Sequence, residues 1–246
     1  MVVGGFGNEA PKTEIFNLGC PTFQCDKKND LPELRSTEFA VGGMIGDTPI
    51  LCGGKDPDIG TSRYGYCFKF IQINGAYQWV PAGSLSQARS ASGFGSIVIE
   101  NQLLVSGGVL VGQNQLTTLQ ELVSLNGEFT SSALKSPAFY AHCMVQINET
   151  SVMVNGGVGK NHDKLTTFMN FKSGITSTGP EMTNKRAGHT CGKVIIGGDT
   201  IIFSIGAGTP FDADFQHKTE YLNLDKVNAE WKAGTNLLNK GLKTYF

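Results

Sequence analysis

The sequence predicts an all-β protein assembled from one repeated unit of four short antiparallel strands. Three observations predict it. Glycine pairs recur at nearly constant intervals, each pair closes a strand-like hydrophobic run, and no helical period follows any of them. The 32 glycines suit many tight turns rather than long helices.

The pairs are Gly4-Gly5 in VVGGFG, Gly53-Gly54 in PILCGGK, Gly107-Gly108 in LLVSGGV and Gly156-Gly157 in VMVNGGVG, spaced by 49, 54 and 49 residues. A further step of 49 residues reaches Ile205-Gly206 in IIFSIGAG, where one glycine is replaced but the preceding strand and Gly208 persist. Upstream of the pairs, SASGFGSIVIE-NQ-LLVSGG and HCMVQI-NET-SVMVNGG read as hairpins with polar turns, and KVII-GGD-TIIFSIG turns through Gly197-Gly198-Asp199. About ten residues beyond each pair comes a third strand: TEIFNL (13–18), YCFKFIQI (66–73), LQELVSLN (119–126), TTFMNF (166–171) and TEYLNL (219–224). The near identity of the first and last copies argues for true repetition. A fourth strand centres on Trp79, Phe129 and Trp231, while the fourth copy, GITSTGP, lacks an aromatic residue.

Four antiparallel strands repeated every 50 residues or so describe a β-propeller blade, whose faces are buried only by neighbouring blades. The hydrophobic strand ending in Gly-Gly, the following Thr-Glu-hydrophobic-aromatic-Asn stretch, the tryptophan and an Arg or His near the next unit together resemble the kelch family over essentially the whole chain. The resemblance implies a single domain over 1–246, with blades near 1–34, 35–88, 89–137, 138–184 and 185–239. A further blade begins at 240–246. About five blades, incomplete at both ends, are expected, and a fragment of a larger ring is preferred to a closed five-bladed one. The resemblance also explains the glycines, which end the second strand where unusual dihedrals and close backbone approach exclude a Cβ.

Composition restricts the function. With 20 Lys+Arg against 21 Asp+Glu, no net field draws the chain to nucleic acid or anionic lipid. No apolar run reaches the roughly 18 to 20 residues of a membrane-spanning helix.

Six cysteines allow 15 connectivities. Pairing Cys20 with Cys25, Cys52 with Cys67 and Cys143 with Cys191 is the first choice, because Cys20 and Cys25 flank a short loop, Cys67 lies on the strand after Cys52 in the same blade, and Cys143 and Cys191 occupy similar positions in neighbouring blades. Free buried thiols in a cytosolic protein are the other reading. One glycosylation sequon, Asn148-Glu149-Thr150, falls on a hairpin turn. With the similarity of the CGG…C and HC patterns to extracellular kelch proteins, these features lead us to expect a secreted glycoprotein, with a cytoplasmic protein as the alternative.

No metal or other cofactor is expected. The four histidines are His142, His162, His189 and His217. His142 and His189 fall at the family's blade-start position, which implies hydrogen bonding to backbone. The galactose-oxidase branch uses copper with a Tyr-Cys cross-link, and the closeness of Tyr64, Tyr66 and Cys67 is too weak to carry that over. A kelch-type sugar mutarotase is a further enzymatic alternative, built from scattered carboxylates and arginines.

The favoured expectation is a non-catalytic scaffold for a protein or glycan partner, engaged by loops on one face of the propeller. The loops after the glycine pairs differ in sequence and supply Lys55, Asp58, Arg63, Lys160, His162, Asp212, Asp214 and His217 as candidate contacts. In the kelch family the connections between blades share that face, which adds Arg89 and Arg186, either as carboxylate-binding contacts or as structural ties. A substrate adaptor for a cullin ubiquitin ligase is the competing interaction reading; it requires BTB and BACK regions upstream.

Overall fold

The computed structural model describes residues 40–54, 65–90, 95–110, 115–126, 140–159, 164–206 and 217–237, with the strand backbones at 2–3, 13–15, 26–28 and 129–131. Among these residues there is no helix, and the strands form a series of antiparallel sheets. The first sheet has three strands, β1 (Val2–Val3), β2 (Thr13–Ile15) and β3 (Asp26–Lys28). The second has four: β4 (Val41–Ile45), β5 (Thr48–Cys52), β6 (Tyr66–Ile73) and β7 (Ala76–Ser84). A short pair, β8 (Arg89–Ser90) with β11 (Val109–Leu110), brackets the third sheet, made of β9 (Ser96–Ile99), β10 (Gln102–Ser106), β12 (Gln120–Val123) and β13 (Phe129–Ser131). The fourth contains β14 (Cys143–Asn148), β15 (Ser151–Asn155), β16 (Thr166–Asn170) and β17 (Thr176–Thr178). The fifth contains β18 (Thr190–Ile196), β19 (Asp199–Ile205), β20 (Thr219–Asn223) and β21 (Trp231–Ala233).

Local chemistry sets the register. Glu100 and Asn101 (φ 46° and 60°) and Gly197 and Gly198 (φ 60° and 91°) have the paired positive φ of the two-residue turns that match strand twist. In the fourth sheet the hairpin carries a bulge between Gln146 and Asn148. Asn74-Gly75, also with positive φ at both residues, joins the long strands β6 and β7.

Alternation along the described strands sends side chains to both faces, and the second to fifth sheets share the cores between them. Ile50, Cys52 and Cys67 of the second sheet pack with Leu103, Val105 and Val123 of the third. Ile99 and Leu104 then pack with Met144, Val152 and Met169 of the fourth, whose opposite face gives Val145 and Met153 to Ile202, Leu222 and Trp231 of the fifth. Each fully buried aliphatic side chain in these shared cores contributes about 1.5–3 kcal/mol. The first strands β4, β9, β14 and β18 also contact one another in succession. The far face of the fifth sheet carries Val194 and Ile196, both exposed, beside a half-buried Phe203.

Candidate functional site

Among the described residues, the second strands β5, β10, β15 and β19 end at one edge of the sheets, and the glycines that follow them form its corners. Gly53, Gly107, Gly156 and Gly206 have φ between 60° and 69°. Each donates its N–H to a carbonyl at the start of the third strand, that of Tyr66, the first residue of β6, or of Leu119, Leu165 and Lys218, each just before its strand, at 3.0 to 3.1 Å. Among the described residues, the loops after β5, β10, β15 and β19 are therefore closed at their necks by the same bond. The second glycine reaches forward, with Gly54 N–H donating to Arg89 O (3.2 Å) and Gly157 N–H to Arg186 O (2.7 Å). The close approach explains the residue type. A Cβ on Gly156 would lie 2.6 Å from both Arg186 O and the His189 ring, and one on Gly157 2.9 Å from His142 Cβ and Tyr140 O.

The side chains of Arg89 and Arg186 correct the expectation that they meet a partner. Both are fully buried. Arg186 donates from Nε to Glu220 Oε1 (2.5 Å) and from Nη1 to the carbonyls of Gly206 (2.7 Å) and Lys218 (2.9 Å), the two sides of one loop neck. Arg89 repeats the pattern with Glu121 Oε2 (2.5 Å), Gly107 O (3.2 Å) and Leu119 O (2.8 Å). Burial lowers the Arg89 pKa, and the Glu121 carboxylate opposes that shift. The second oxygen of each acid holds the chain before its arginine, accepting from Ser86 N–H (2.7 Å) and from Thr183 N–H (2.8 Å) and Oγ1 (2.6 Å). A guanidinium matches this role because its planar donors span several acceptors at once.

Other chemistry fixes the remaining necks. In the second sheet, Cys52 and Cys67 face each other across β5 and β6 and form a disulfide. In the fourth, the buried His189 donates from Nε2 to Asn155 Oδ1 (2.6 Å), the tautomer a carbonyl acceptor requires. Its bond is to a side chain rather than to backbone. Burial, reinforced by the Arg186 charge, lowers its pKa to about 3. His142 is also buried, against Gly95, and burial followed by the neighbouring His189 holds its pKa well below the ordinary histidine range. A second disulfide, Cys143–Cys191, staples the first strands of the fourth and fifth sheets.

Both described disulfides are the pairings expected from sequence, while Cys20 and Cys25 lie outside the described residues. So do Lys55, Asp58, Arg63, Lys160, His162, Asp212 and Asp214. His217 is half-buried at the end of its loop, where its carbonyl accepts from Leu237 N–H (2.8 Å). Asn148 is exposed at the opposite edge of the fourth sheet. Because Cys67 Sγ is bonded to Cys52, it is not available for a thioether to tyrosine. Among the described residues no group of three or more His, Cys, Asp or Glu side chains converges as metal ligands, and no helix is long and apolar enough to cross a membrane.

The acids Glu121 and Glu220 were missed as functional partners of the arginines. A signal was present: Glu recurs at one register position of the third strand, 32 and 34 residues after the respective arginine.

No protein-family model matches the sequence, and no curated protein matches it. Among solved structures the chain is similar to one described as the structure of YjhT, with a TM-score of 0.64 and 16% identity over 86% of this chain and 69% of that one. The likeness is one of fold alone. Two disulfides fit an oxidising environment.

Proposed function

We propose that the sheets are blades of a kelch-type β-propeller and that the protein is a secreted, non-catalytic scaffold. It binds a protein or glycan partner through the loops at the glycine-pair edge. One observation carries the reading: the loop necks are built to one plan while the loop contents differ. The same glycine bond closes all four described necks, and a disulfide, two Arg–Glu ties and a His–Asn bond reinforce them. That arrangement holds variable side chains on a stiff base, which lowers the ordering cost of association. The disulfides favour this reading over an adaptor working in the reducing cytosol.

The candidate contacts are Lys55, Asp58, Arg63, Lys160, His162, Asp212, Asp214 and His217, with Arg89 and Arg186 reassigned to hold the loops. The test is to probe the full chain against arrays of glycans and extracellular domains, alongside the variants Lys160→Ala/His162→Ala and Asp212→Ala/Asp214→Ala. Loss of a wild-type ligand with unchanged melting supports the reading. Ligands held equally by all three proteins contradict it.

A further inference from the structure

We propose that Asn148 is a site of N-linked glycosylation and that its glycan marks the edge of the sheets left free of the partner. The turn between β14 and β15 has the geometry the modification needs. Asn148 is exposed, and its Oδ1 accepts from Thr150 N–H (3.0 Å) and Thr150 Oγ1 (3.3 Å). Among the described residues nothing holds its Nδ2. The hydroxyl that defines the acceptor motif is therefore engaged with the asparagine amide, and the nucleophilic nitrogen is left outward.

The turn is anchored from behind. Asn170 Nδ2 donates to Thr150 Oγ1 (3.2 Å) and Phe171 N–H donates to Thr150 O (3.0 Å), so β16 holds the threonine while the asparagine projects. The co-reactant is a lipid-diphosphate-linked oligosaccharide. Nδ2 attacks C1 of its first sugar, the C1–O bond to phosphate breaks, the lipid diphosphate leaves with the bonding electrons, and a base of the transferase takes one Nδ2 proton.

Position gives the modification a consequence. Asn148 and Gly156 lie at opposite ends of the five-residue strand β15, about 17 Å apart at 3.4 Å per residue. A glycan here covers the hairpin-turn edge, next to the turn of the fifth sheet, where Lys193 Nζ already reaches Ile147 O (3.1 Å). The loops at the glycine-pair edge stay open. This assignment of faces rests on the proposed function; the modification itself does not.

The experiment directs the full chain into a eukaryotic secretory pathway with an appended leader and reads intact mass before and after peptide N-glycosidase. Wild type and Thr150→Ser should each carry one enzyme-sensitive glycan, with Asn148 converted to aspartate on release, and Asn148→Gln and Thr150→Ala should carry none. Hydroxyl-radical footprinting of the glycosylated and released forms reads the covered edge. Oxidation at Ile195 and Ile196 should fall at least twofold with the glycan, and oxidation at Tyr140, on the glycine-pair edge, should not change. Secretion with both disulfides formed and Asn148 unmodified overturns the site. A glycan whose footprint falls on Tyr140 overturns the assignment of faces. Neither result touches the loop reading, which the loop variants test on unglycosylated protein.

Discussion

Replacing Arg186 by methionine removes the guanidinium from a site with no solvent access and leaves the Glu220 carboxylate there without its cation. Breaking a buried pair from one side costs about 3–5 kcal/mol. Glu220→Met should cost a similar amount, because the arginine charge then stays buried against two carbonyls. The double variant should cost well below the sum of the singles, since no unpaired charge remains. It should not return to wild type, because Thr183 N–H and Gly206 O lose their partners, at about 1–3 kcal/mol for a buried unsatisfied group. A coupling of about 2 kcal/mol or more is therefore expected from a cycle of denaturant unfolding curves. Arg186→Lys should recover little, because a single ammonium does not span three acceptors. A cost below about 1 kcal/mol for Arg186→Met, or strictly additive singles, refutes the neck-tie account.

Gly156→Ala should be far more costly than Gly197→Ala, although both glycines have φ near 60°. The first places a Cβ against backbone and the His189 ring, whereas the second meets nothing within 4 Å; strain alone predicts about 1–2 kcal/mol at Gly197, and overpacking adds about 1–3 kcal/mol at Gly156, read as paired unfolding curves. Removing Cys143–Cys191, which closes 48 residues, should cost about 4 kcal/mol, and removing Cys52–Cys67, which closes 15, about 3 kcal/mol, both measured with Cys→Ser pairs. Acid should destabilise the fold from near neutrality. His189 is neutral in the folded protein down to about pH 3 but takes a proton in the unfolded chain below about pH 6.5, so stability is full above that value and declines as pH falls. Between pH 7.5 and 5.5 the loss from His189 is about 1.4 kcal/mol, and His142 adds in the same direction; denaturant midpoints independent of pH over this range contradict both assignments.

The strands were legible because periodicity and turn chemistry act locally. Tyr66–Ile73 falls where the alternating run of β-formers lies, and the hairpin read with Asn101-Gln102 as its turn is present with the turn one residue earlier, at Glu100-Asn101. The pairing of Cys52 with Cys67 was legible for the same reason, since neighbouring strands place them directly opposite. The destination of Arg89 was not. Its side chain ends on Glu121 and on both sides of a loop neck, contacts set by how strands stack rather than by any local pattern. An arginine at a sheet entrance reads the same whether it turns inward or outward, and only the matching acid on the third strand separates the two. His189 was equally ambiguous, because Asn155, its partner, belongs to the preceding sheet.

The central claim is that a rigid edge displays binding loops, and it is tested most directly by separating binding from stability at that edge. Binding of an array-identified ligand and thermal melting would be measured together for wild type, for Lys160→Ala/His162→Ala, and for Asp47→Ala/Glu100→Ala at the opposite hairpin turns. The account predicts that the loop variant loses at least tenfold in affinity with unchanged melting while the hairpin-turn variant binds as wild type does. Loss of binding confined to the hairpin-turn variant contradicts it.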